Sequence, residues 1–229
     1  MRHRLLALLA GVAVTACSHL SSGTGPVAIQ LVLQQPYELE VGDTVQLRAY
    51  ALDEAGDSVG APIIWRAPDS TVTIDSLTGR ATAVYPSVSG RVQARTGTLV
   101  SDVVTFSTYP RSDTIIIDSA ADTTTMQPTD SVSGALVASL QSLAPAGGSF
   151  NRRLTYTLTS PADSSVTLDG GLLTVTVSTG VDGTPSAQVH LHKTAAAAPD
   201  SALVTVGAVR PSGTIVPGSG QTFTVHILH

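Results

Sequence analysis

The sequence predicts an all-β protein, and three observations support this fold class. Short runs rich in Val, Ile and Thr alternate with clusters of Gly, Pro, Asp and Ser along most of the 229 residues, as they do in sandwiches and barrels. No stretch shows the apolar spacing of an amphipathic helix over a useful length. Residues 44–51 alternate strictly, so Val45 and Leu47 are expected on the buried face of a strand, and Gln46 and Arg48 on the exposed face.

The composition indicates the kind of core and excludes one class of partner. Hydrophobic residues make up 42% of the chain but aromatic residues only 4%, so the cores are expected to consist of Val, Leu, Ile and Ala. The formal net charge is −5, and Lys193 is the only lysine. Binding to nucleic acid requires clustered Lys and Arg that neutralise phosphates. We therefore expect no nucleic acid partner.

Residues 1–16 are predicted to be a signal peptide. Arg2 and Arg4 precede a mostly aliphatic run over residues 5–14, and small residues separate this run from the only cysteine, Cys17. The run is shorter than the about 20 apolar residues of a membrane-spanning helix. The tetrapeptide that ends at the cysteine resembles the lipobox of bacterial lipoprotein precursors.

The lipobox resemblance implies that the sulfur of Cys17 carries diacylglycerol and that residues 17–26 form a lipidated cysteine with a flexible tether. A single thiol has no disulfide partner outside the cytoplasm, which favours lipidation. Ser18 stands where lipoproteins of the inner membrane tend to have aspartate, so the resemblance implies the outer membrane. The alternative is an ordinary secretory signal with a buried thiol nearby.

The first half of the chain predicts seven short strands, a number typical of an immunoglobulin-like sandwich. Asp53 to Asp57 supply a turn between two of them. Pro110 ends the strand pairing, which predicts a linker at 109–112. The predicted strands are 27–33, 44–51, 63–66, 71–74, 80–83, 90–95 and 99–107.

The second half of the chain predicts another sandwich, so that two domains, 27–109 and 113–229, are expected in tandem. Alanines 195–198 followed by Pro199 are too few for an isolated helix, and they predict a hairpin loop. The predicted strands are 114–118, 131–143 (with a bulge or an irregular part), 153–160, 165–168, 172–178, 187–192, 201–209 and 222–228.

Several motifs occur in order in the first half. They are Leu39-Glu40-Val41-Gly42-Asp43-Thr44-Val45-Gln46-Leu47-Arg48-Ala49, Asp53-Glu54-Ala55-Gly56, Trp65, Ile74-Asp75 and Thr78-Gly79-Arg80-Ala81-Thr82-Ala83. Together they resemble the group 2 bacterial immunoglobulin-like domains, which are β-sandwich modules of surface proteins and secreted enzymes. The resemblance implies that Trp65 fills the centre of the sandwich; the alternative role is a carbohydrate-stacking platform. More weakly, residues 179–187 resemble the group 1, invasin-type domains.

His190 and His192 are the one metal-like pair in the sequence. Alternate residues of a strand point to one face, so the two imidazoles could bind Zn²⁺ if His226 or His229 supplied a third ligand. His226 and His229 face opposite ways if the last strand continues to the end of the chain. A solvated outer face also accounts for the pair, and no cofactor is expected.

Acidic residues crowd two predicted turns. Asp53 and Asp57 flank Glu54 in the first turn, and Asp118 and Asp122 form a second group. Oxygen-rich loops of this kind suit Ca²⁺, but turn residues selected for solubility give the same pattern. Asp53 and Asp57 are therefore the calcium candidates, with solubility as the alternative explanation.

The sequence predicts a protein without catalytic activity. It contains no Gly-x-Ser-x-Gly elbow, Walker loop, His-Glu-x-x-His helix or EF-hand loop. The expected function is that of a lipid-anchored outer-membrane protein of the bacterial cell envelope, whose immunoglobulin-like modules serve adhesion or protein interaction. Its expected partners are the membrane, through the anchor, and an unidentified envelope protein or glycan.

Two alternative functions stay open: a module that binds polysaccharide or cell wall, and a passive structural spacer. A stacking platform for sugars needs exposed aromatic rings, and a coplanar pair would favour this alternative. The candidates are Tyr37, Tyr50, Tyr85, Tyr109 and Tyr156.

Overall fold

The computed structural model describes residues 25–32, 38–86, 89–118, 122–180, 184–194 and 199–229. Their regular structure is β-strand, apart from one 3-10 turn at Asp169–Gly171. The all-β prediction is therefore confirmed. None of these described segments forms a helix that is long and apolar enough to cross a membrane.

The N-terminal sandwich consists of two layers of strands. The strands are β1 (Ala28–Val32), β2 (Glu38–Glu40), β3 (Thr44–Gln46), β4 (Arg48–Leu52), β5 (Ser58–Val59), β6 (Ile64–Arg66), β7 (Val72–Ile74), β8 (Arg80–Ala83), β9 (Ser89–Thr96), β10 (Leu99–Val100) and β11 (Val104–Tyr109). One layer contains β1-β4-β5 and β3-β8-β7, and the other contains β10-β9-β11-β2 with β6 paired to β9.

The alternating segment 44–51 has the predicted orientation but is divided into two strands. Leu47 and Ala51 are buried, whereas Arg48 and Tyr50 are exposed. Leu47 lies between β3 and β4, and its backbone N–H donates to the carbonyl of Gly79 (3.0 Å). The division lets β3 pair with β8 while β4 pairs with β1.

The C-terminal sandwich also has two layers. The strands are β12 (Thr114–Ile117), β13 (Thr123–Met126), β14 (Leu136–Leu143), β15 (Ala146–Gly148), β16 (Arg153–Ser160), β17 (Val166–Leu168), β18 (Thr174–Ser178), β19 (Ser186–Val189), β20 (Leu191–Lys193), β21 (Ser201–Gly207) and β22 (Gln221–Ile227). One layer contains β12-β14-β15 with β19 paired to β14, the other is β13-β22-β21-β16-β18, and β17 pairs with β20.

The strand order of both sandwiches is immunoglobulin-like. In the usual letters, β1, β3/β4, β8 and β7 form the A-B-E-D layer of the N-terminal sandwich, and β6, β9 and β11 form the C-F-G layer. In the C-terminal sandwich, β12, β14 and β19 correspond to A, B and E, and β16, β21 and β22 to C, F and G. In each sandwich a short strand, β2 or β13, pairs in parallel with strand G.

Each sandwich has its own hydrophobic core. The N-terminal core is built around Trp65 and Phe106 and the C-terminal core around Tyr156 and Phe223, with aliphatic residues filling the remainder of both. The described strands pair only within 28–109 or within 114–227. The domain boundaries 27–109 and 113–229 stay a prediction.

Most predicted strands agree with the structure to within a few residues. The strand predicted at 131–143 begins only at Leu136, and four short strands (β2, β5, β13 and β15) were not predicted. The predicted alanine loop at 195–198 lies outside the described residues.

Candidate functional site

The candidate site is a group of charged side chains between the two sandwiches, and it begins with Glu40 at the end of β2. Leu39 of β2 points into the N-terminal core, so the alternation of the strand turns Glu40 away from that core. The next residues form a tight turn in which the N–H of Asp43 donates to the carbonyl of Glu40 (2.8 Å). Gly42 has a φ of +87°, a backbone conformation that residues with a side chain rarely adopt.

The carboxylate of Glu40 is completely buried, with 0% of the residue exposed. Ser112, in the connection between the sandwiches, donates to it twice: from its hydroxyl to Oε1 (2.8 Å) and from its backbone N–H to Oε2 (3.2 Å). A buried carboxylate needs such donors because it loses the hydration it has in water.

Two arginines of the C-terminal sandwich neutralise Glu40. Nε of Arg152 lies 3.4 Å from Oε1, and Nε of Arg210 lies 3.5 Å from Oε2; both arginine side chains are only 9% exposed. Removing one partner of a buried ion pair commonly costs about 3–5 kcal/mol, because it leaves a buried charge uncompensated. The three side chains therefore depend on one another across the boundary.

Thr179 and Tyr109 hold Arg152 in place. The N–H of Arg152 donates to Oγ1 of Thr179 (2.9 Å), and the N–H of Thr179 donates back to the carbonyl of Arg152 (2.7 Å). The guanidinium lies over the ring of Tyr109, 4.7 Å from its centroid, in a cation–π contact. Its Nη1 also lies 3.6 Å from Oε2 of the exposed Glu38.

A reverse turn positions Arg210. The N–H of Gly213 donates to the carbonyl of Arg210 (2.9 Å), and Pro211 occupies the second position of the turn, where its fixed φ is favourable. The N–H of Arg210 donates to the carbonyl of Thr214 (2.9 Å) and closes the hairpin. The side chain donates from Nε to the carbonyl of Ser112 (2.8 Å).

Asp113 forms a second anionic centre beside Glu40. Its Oδ1 accepts hydrogen bonds from Nε of Arg111 (2.9 Å) and from Nη2 of Arg210 (3.1 Å). Its Oδ2 accepts the backbone N–H of Leu143 (2.8 Å). Ser149 adds a bond from its hydroxyl to the carbonyl of Arg111 (2.6 Å).

We call residues 109–113, together with Glu40, Arg152 and Arg210, the joint. The predicted linker at 109–112 lies within it, and hydrogen bonds attach this segment to both sandwiches. Sequence reasoning included Glu40 only as a letter of a family motif. No local signal marks it, because Ser112 lies 72 residues further along the chain.

A groove of about 510 Å³ lies beside the joint, between the turn after β2 and the hairpin that carries Arg210. Its two arginines, Arg111 and Arg210, already contact Asp113 and Glu40. Among the described residues, both arginines of the groove therefore already have an anionic partner, and neither is free to bind a ligand.

His190 and His192 lie beside Asp169, a residue that the sequence did not single out. Nε2 of His192 is 2.7 Å from Oδ1, while Oδ2 accepts the backbone N–H of His190 (3.0 Å) and lies 3.7 Å from its Nδ1. Partial burial raises the pKa of Asp169, but these hydrogen bonds outweigh it and leave the pKa below its usual value. His229, a predicted third zinc ligand, instead faces Asp200 (3.3 Å).

The described residues contain no group of three or more His, Cys, Asp or Glu side chains arranged to hold a metal ion. In the predicted calcium turn, Oδ1 of Asp53 accepts the N–H groups of Ala55 (3.0 Å) and Asp57 (2.9 Å). That carboxylate therefore stabilises its own turn, as aspartate commonly does. The assignment of Asp53 and Asp57 as calcium candidates stays a prediction.

The aromatic candidates for sugar stacking that lie in the described part of the chain are dispersed. Trp65 is 4% exposed and belongs to the N-terminal core, Tyr156 is buried in the other core, and Tyr109 lies against Arg152. Tyr50 and Tyr85 are exposed, and the ring pair that the described residues do form is the buried Tyr156 with Phe223. Tyr37 and Cys17 lie outside the described residues.

No protein-family model and no curated protein matches the chain, so the group 2 resemblance stays a prediction. Solved structures with low similarity include the Yersinia pseudotuberculosis adhesin InvE, at 15% identity and a TM-score of 0.46, matched over 90% of this chain and 61% of that one. Domains 4 and 5 of the S-layer protein SbsC match at 14% identity with a TM-score of 0.35, over 90% of this chain and 100% of that one.

The D00-D0 domain of Intimin matches at 14% identity with a TM-score of 0.31, over 86% of this chain and 96% of that one. At these identities and scores the matches identify neither a family nor a function for this chain. This chain spans less than two thirds of the InvE structure. The immunoglobulin-like description therefore rests on the strand order.

Proposed function

We propose that this chain is a non-catalytic, lipid-anchored protein of the bacterial cell envelope that presents immunoglobulin-like modules for adhesion or protein interaction. The observation that supports it best is that the buried charges connect the two sandwiches. Arg152 and Arg210 of the C-terminal sandwich each contact Glu40 of the N-terminal sandwich.

The anchor in this proposal is Cys17, and it rests on the lipobox resemblance of the sequence. Metabolic labelling with a fatty acid, in a bacterial host that processes lipoproteins, tests it. The full chain is expected to incorporate the label and to sediment with membranes, whereas the Cys17→Ser variant is expected to do neither. A full chain that remains unlabelled beside a labelled control lipoprotein would remove the anchor from the proposal.

The display function is tested by binding. In one experiment, the purified full chain in detergent is incubated with polysaccharide and with cell-wall fragments. In a second experiment, the full chain is cross-linked to its neighbours in intact envelopes. The proposal expects a specific cross-linked protein partner and no co-sedimentation with the polysaccharide. Co-sedimentation that is lost when the exposed Tyr50 or Tyr85 becomes alanine would favour the sugar-binding alternative. If the chain binds neither a protein partner nor the polysaccharide, the passive-spacer alternative remains.

A further inference from the structure

We infer that Glu40, Arg152 and Arg210 form an ionic latch that holds the two sandwiches in one fixed orientation. Relative motion is the usual expectation for two modules connected by a short chain segment. The latch makes this protein an exception, and it does so whether or not the chain carries a lipid or binds a partner.

The first step is that the latch joins opposite sides of the boundary. Glu40 belongs to β2 of the N-terminal sandwich, Arg152 immediately precedes β16, and Arg210 lies in a hairpin after β21. Neither arginine is a neighbour of Glu40 in the chain. The contacts therefore exist only when the sandwiches are in the orientation seen in the structure.

The second step is that burial makes the latch selective for that orientation. Glu40 is fully buried, and both arginine side chains are nine-tenths buried. In a different orientation, each charge needs water or a new partner. A rotation that separates the charges only slightly, without admitting water, is strongly disfavoured in a medium of low dielectric constant.

The third step is that the surrounding hydrogen bonds fix the three side chains themselves. Ser112 donates twice to Glu40, and Thr179 holds the backbone of Arg152. Asp113 shares Arg210 with Glu40. Asn151, which has φ +54°, donates from its side-chain amide to the hydroxyl of Tyr109 (3.2 Å) and adds a further polar contact across the boundary.

A distance measurement in solution tests the latch. Leu77→Cys and Leu172→Cys place labels on exposed positions of the N-terminal and C-terminal sandwiches, in the full chain with Cys17→Ser so that only the new thiols react. Double electron–electron resonance then gives the distribution of distances between the two labels. The latched protein is expected to give one narrow distribution.

The decisive variant is Glu40→Gln. Glutamine keeps the shape of the side chain and an oxygen for one of the two donors of Ser112, but it leaves Arg152 without its buried anion. Because opening of the joint then hydrates Arg152, we expect the distribution of distances between the two labels to broaden. The matched control is Glu54→Gln, the same chemical change at an exposed turn position, and it is expected to leave the distribution narrow.

A narrow, unshifted distribution for Glu40→Gln would overturn the latch, because hydrogen bonding alone would then suffice. A broad distribution for the parent chain would overturn it as well. If circular dichroism shows that Glu40→Gln does not fold, Arg210→Met replaces it and is judged by the same criterion. Broadening in either variant, with a narrow control, supports the inference.

Discussion

The hydroxyl of Tyr156 is the feature of the C-terminal core whose removal gives the clearest test of how this sandwich is stabilised. It donates to the carbonyl of Ala187 (2.6 Å) and accepts the N–H of Ala138 (3.1 Å). Ala138 of β14 lies directly opposite Ala187 of β19 in the sheet. The side chain thus reaches across the sandwich and satisfies one backbone group on each of two neighbouring strands. Tyr156→Phe removes the hydroxyl and keeps the ring that packs against Phe223, with centroids 6.1 Å apart.

The expected loss is about 2–4 kcal/mol of unfolding free energy. Each buried backbone group that loses its partner costs about 1–3 kcal/mol, and a small shift of the two strands toward each other recovers part of the total. Urea denaturation followed by far-UV circular dichroism measures the loss. Tyr50→Phe is the matched control, because Tyr50 is exposed, and we expect its effect to stay within about 0.5 kcal/mol.

The same hydroxyl predicts a dependence on alkaline pH. Burial raises the pKa of the Tyr156 phenol well above its ordinary value, and the hydrogen bond from Ala138 opposes this rise only in part. Because the folded pKa exceeds the unfolded one, the stabilisation is complete below the unfolded pKa of about 10 and is lost as the pH rises toward the folded value. Parent protein is therefore expected to lose stability above about pH 10, and Tyr156→Phe is expected to lose less.

Two results would refute this reasoning. A loss for Tyr156→Phe no larger than that for Tyr50→Phe would show that the backbone groups find other partners without cost. If the parent and Tyr156→Phe lost unfolding free energy equally steeply above about pH 10, the buried phenol would not be the cause of that loss.

Three further predictions concern single positions. A Cβ on Gly79 would lie 2.6 Å from Nε1 of Trp65 at a φ of +74°, so Gly79→Ala is expected to cost about 3 kcal/mol, read from the fluorescence of the only tryptophan. Gly56→Ala is the control, because φ is +84° but no atom lies within 4 Å, and about 1 kcal/mol is expected. The buried hydroxyl of Ser142 has no hydrogen-bond partner among the described residues. Ser142→Ala is therefore expected to raise the free energy of unfolding by about 1 kcal/mol in the same denaturation assay. A decrease in this free energy would contradict the prediction. The N–H groups of Thr78 and Leu77 hold the pKa of Asp75 below its usual value. The carboxylate of Asp75 therefore stabilises the folded protein above about pH 4, and this contribution is lost as the pH falls. On acidification, we expect the melting temperature of Asp75→Asn to fall less than that of the parent.

Strand alternation in the sequence was sufficient to predict most of the fold. In β16, Leu154, Tyr156 and Leu158 alternate with polar residues, and the strand has the predicted bounds, 153–160. The strands that were missed lack this signal. β2 is only three residues long and contains two glutamates, and β15 is the tripeptide Ala-Gly-Gly. Their strand conformation depends on pairing with distant segments, which a local pattern does not contain.

The candidate site could not be predicted for a related reason. A glutamate or arginine in an isolated sequence is expected on the solvated surface, because such residues are almost never fully buried without partners. The partners of Glu40 come from residues 112, 152 and 210, so its burial is decided by the contact between the sandwiches. The same holds for His192, whose neighbour Asp169 lies 23 residues away. Its predicted third zinc ligand, His226 or His229, was chosen from the last predicted strand, and the sequence does not show which residues lie near that strand in space.

The position of the joint gives the latch its mechanical importance. Only residues 110–113 separate β11 from β12, so the connection is too short to allow large displacements and leaves mainly rotation and bending. The latch opposes those two motions, because Glu40 must stay aligned with guanidinium groups from two different parts of the C-terminal sandwich. Two attachment points resist rotation where a single ion pair would act as a pivot. A chain held at its N-terminus would therefore present the C-terminal sandwich in a fixed direction, and the loss of one charge would convert that presentation into a distribution of directions.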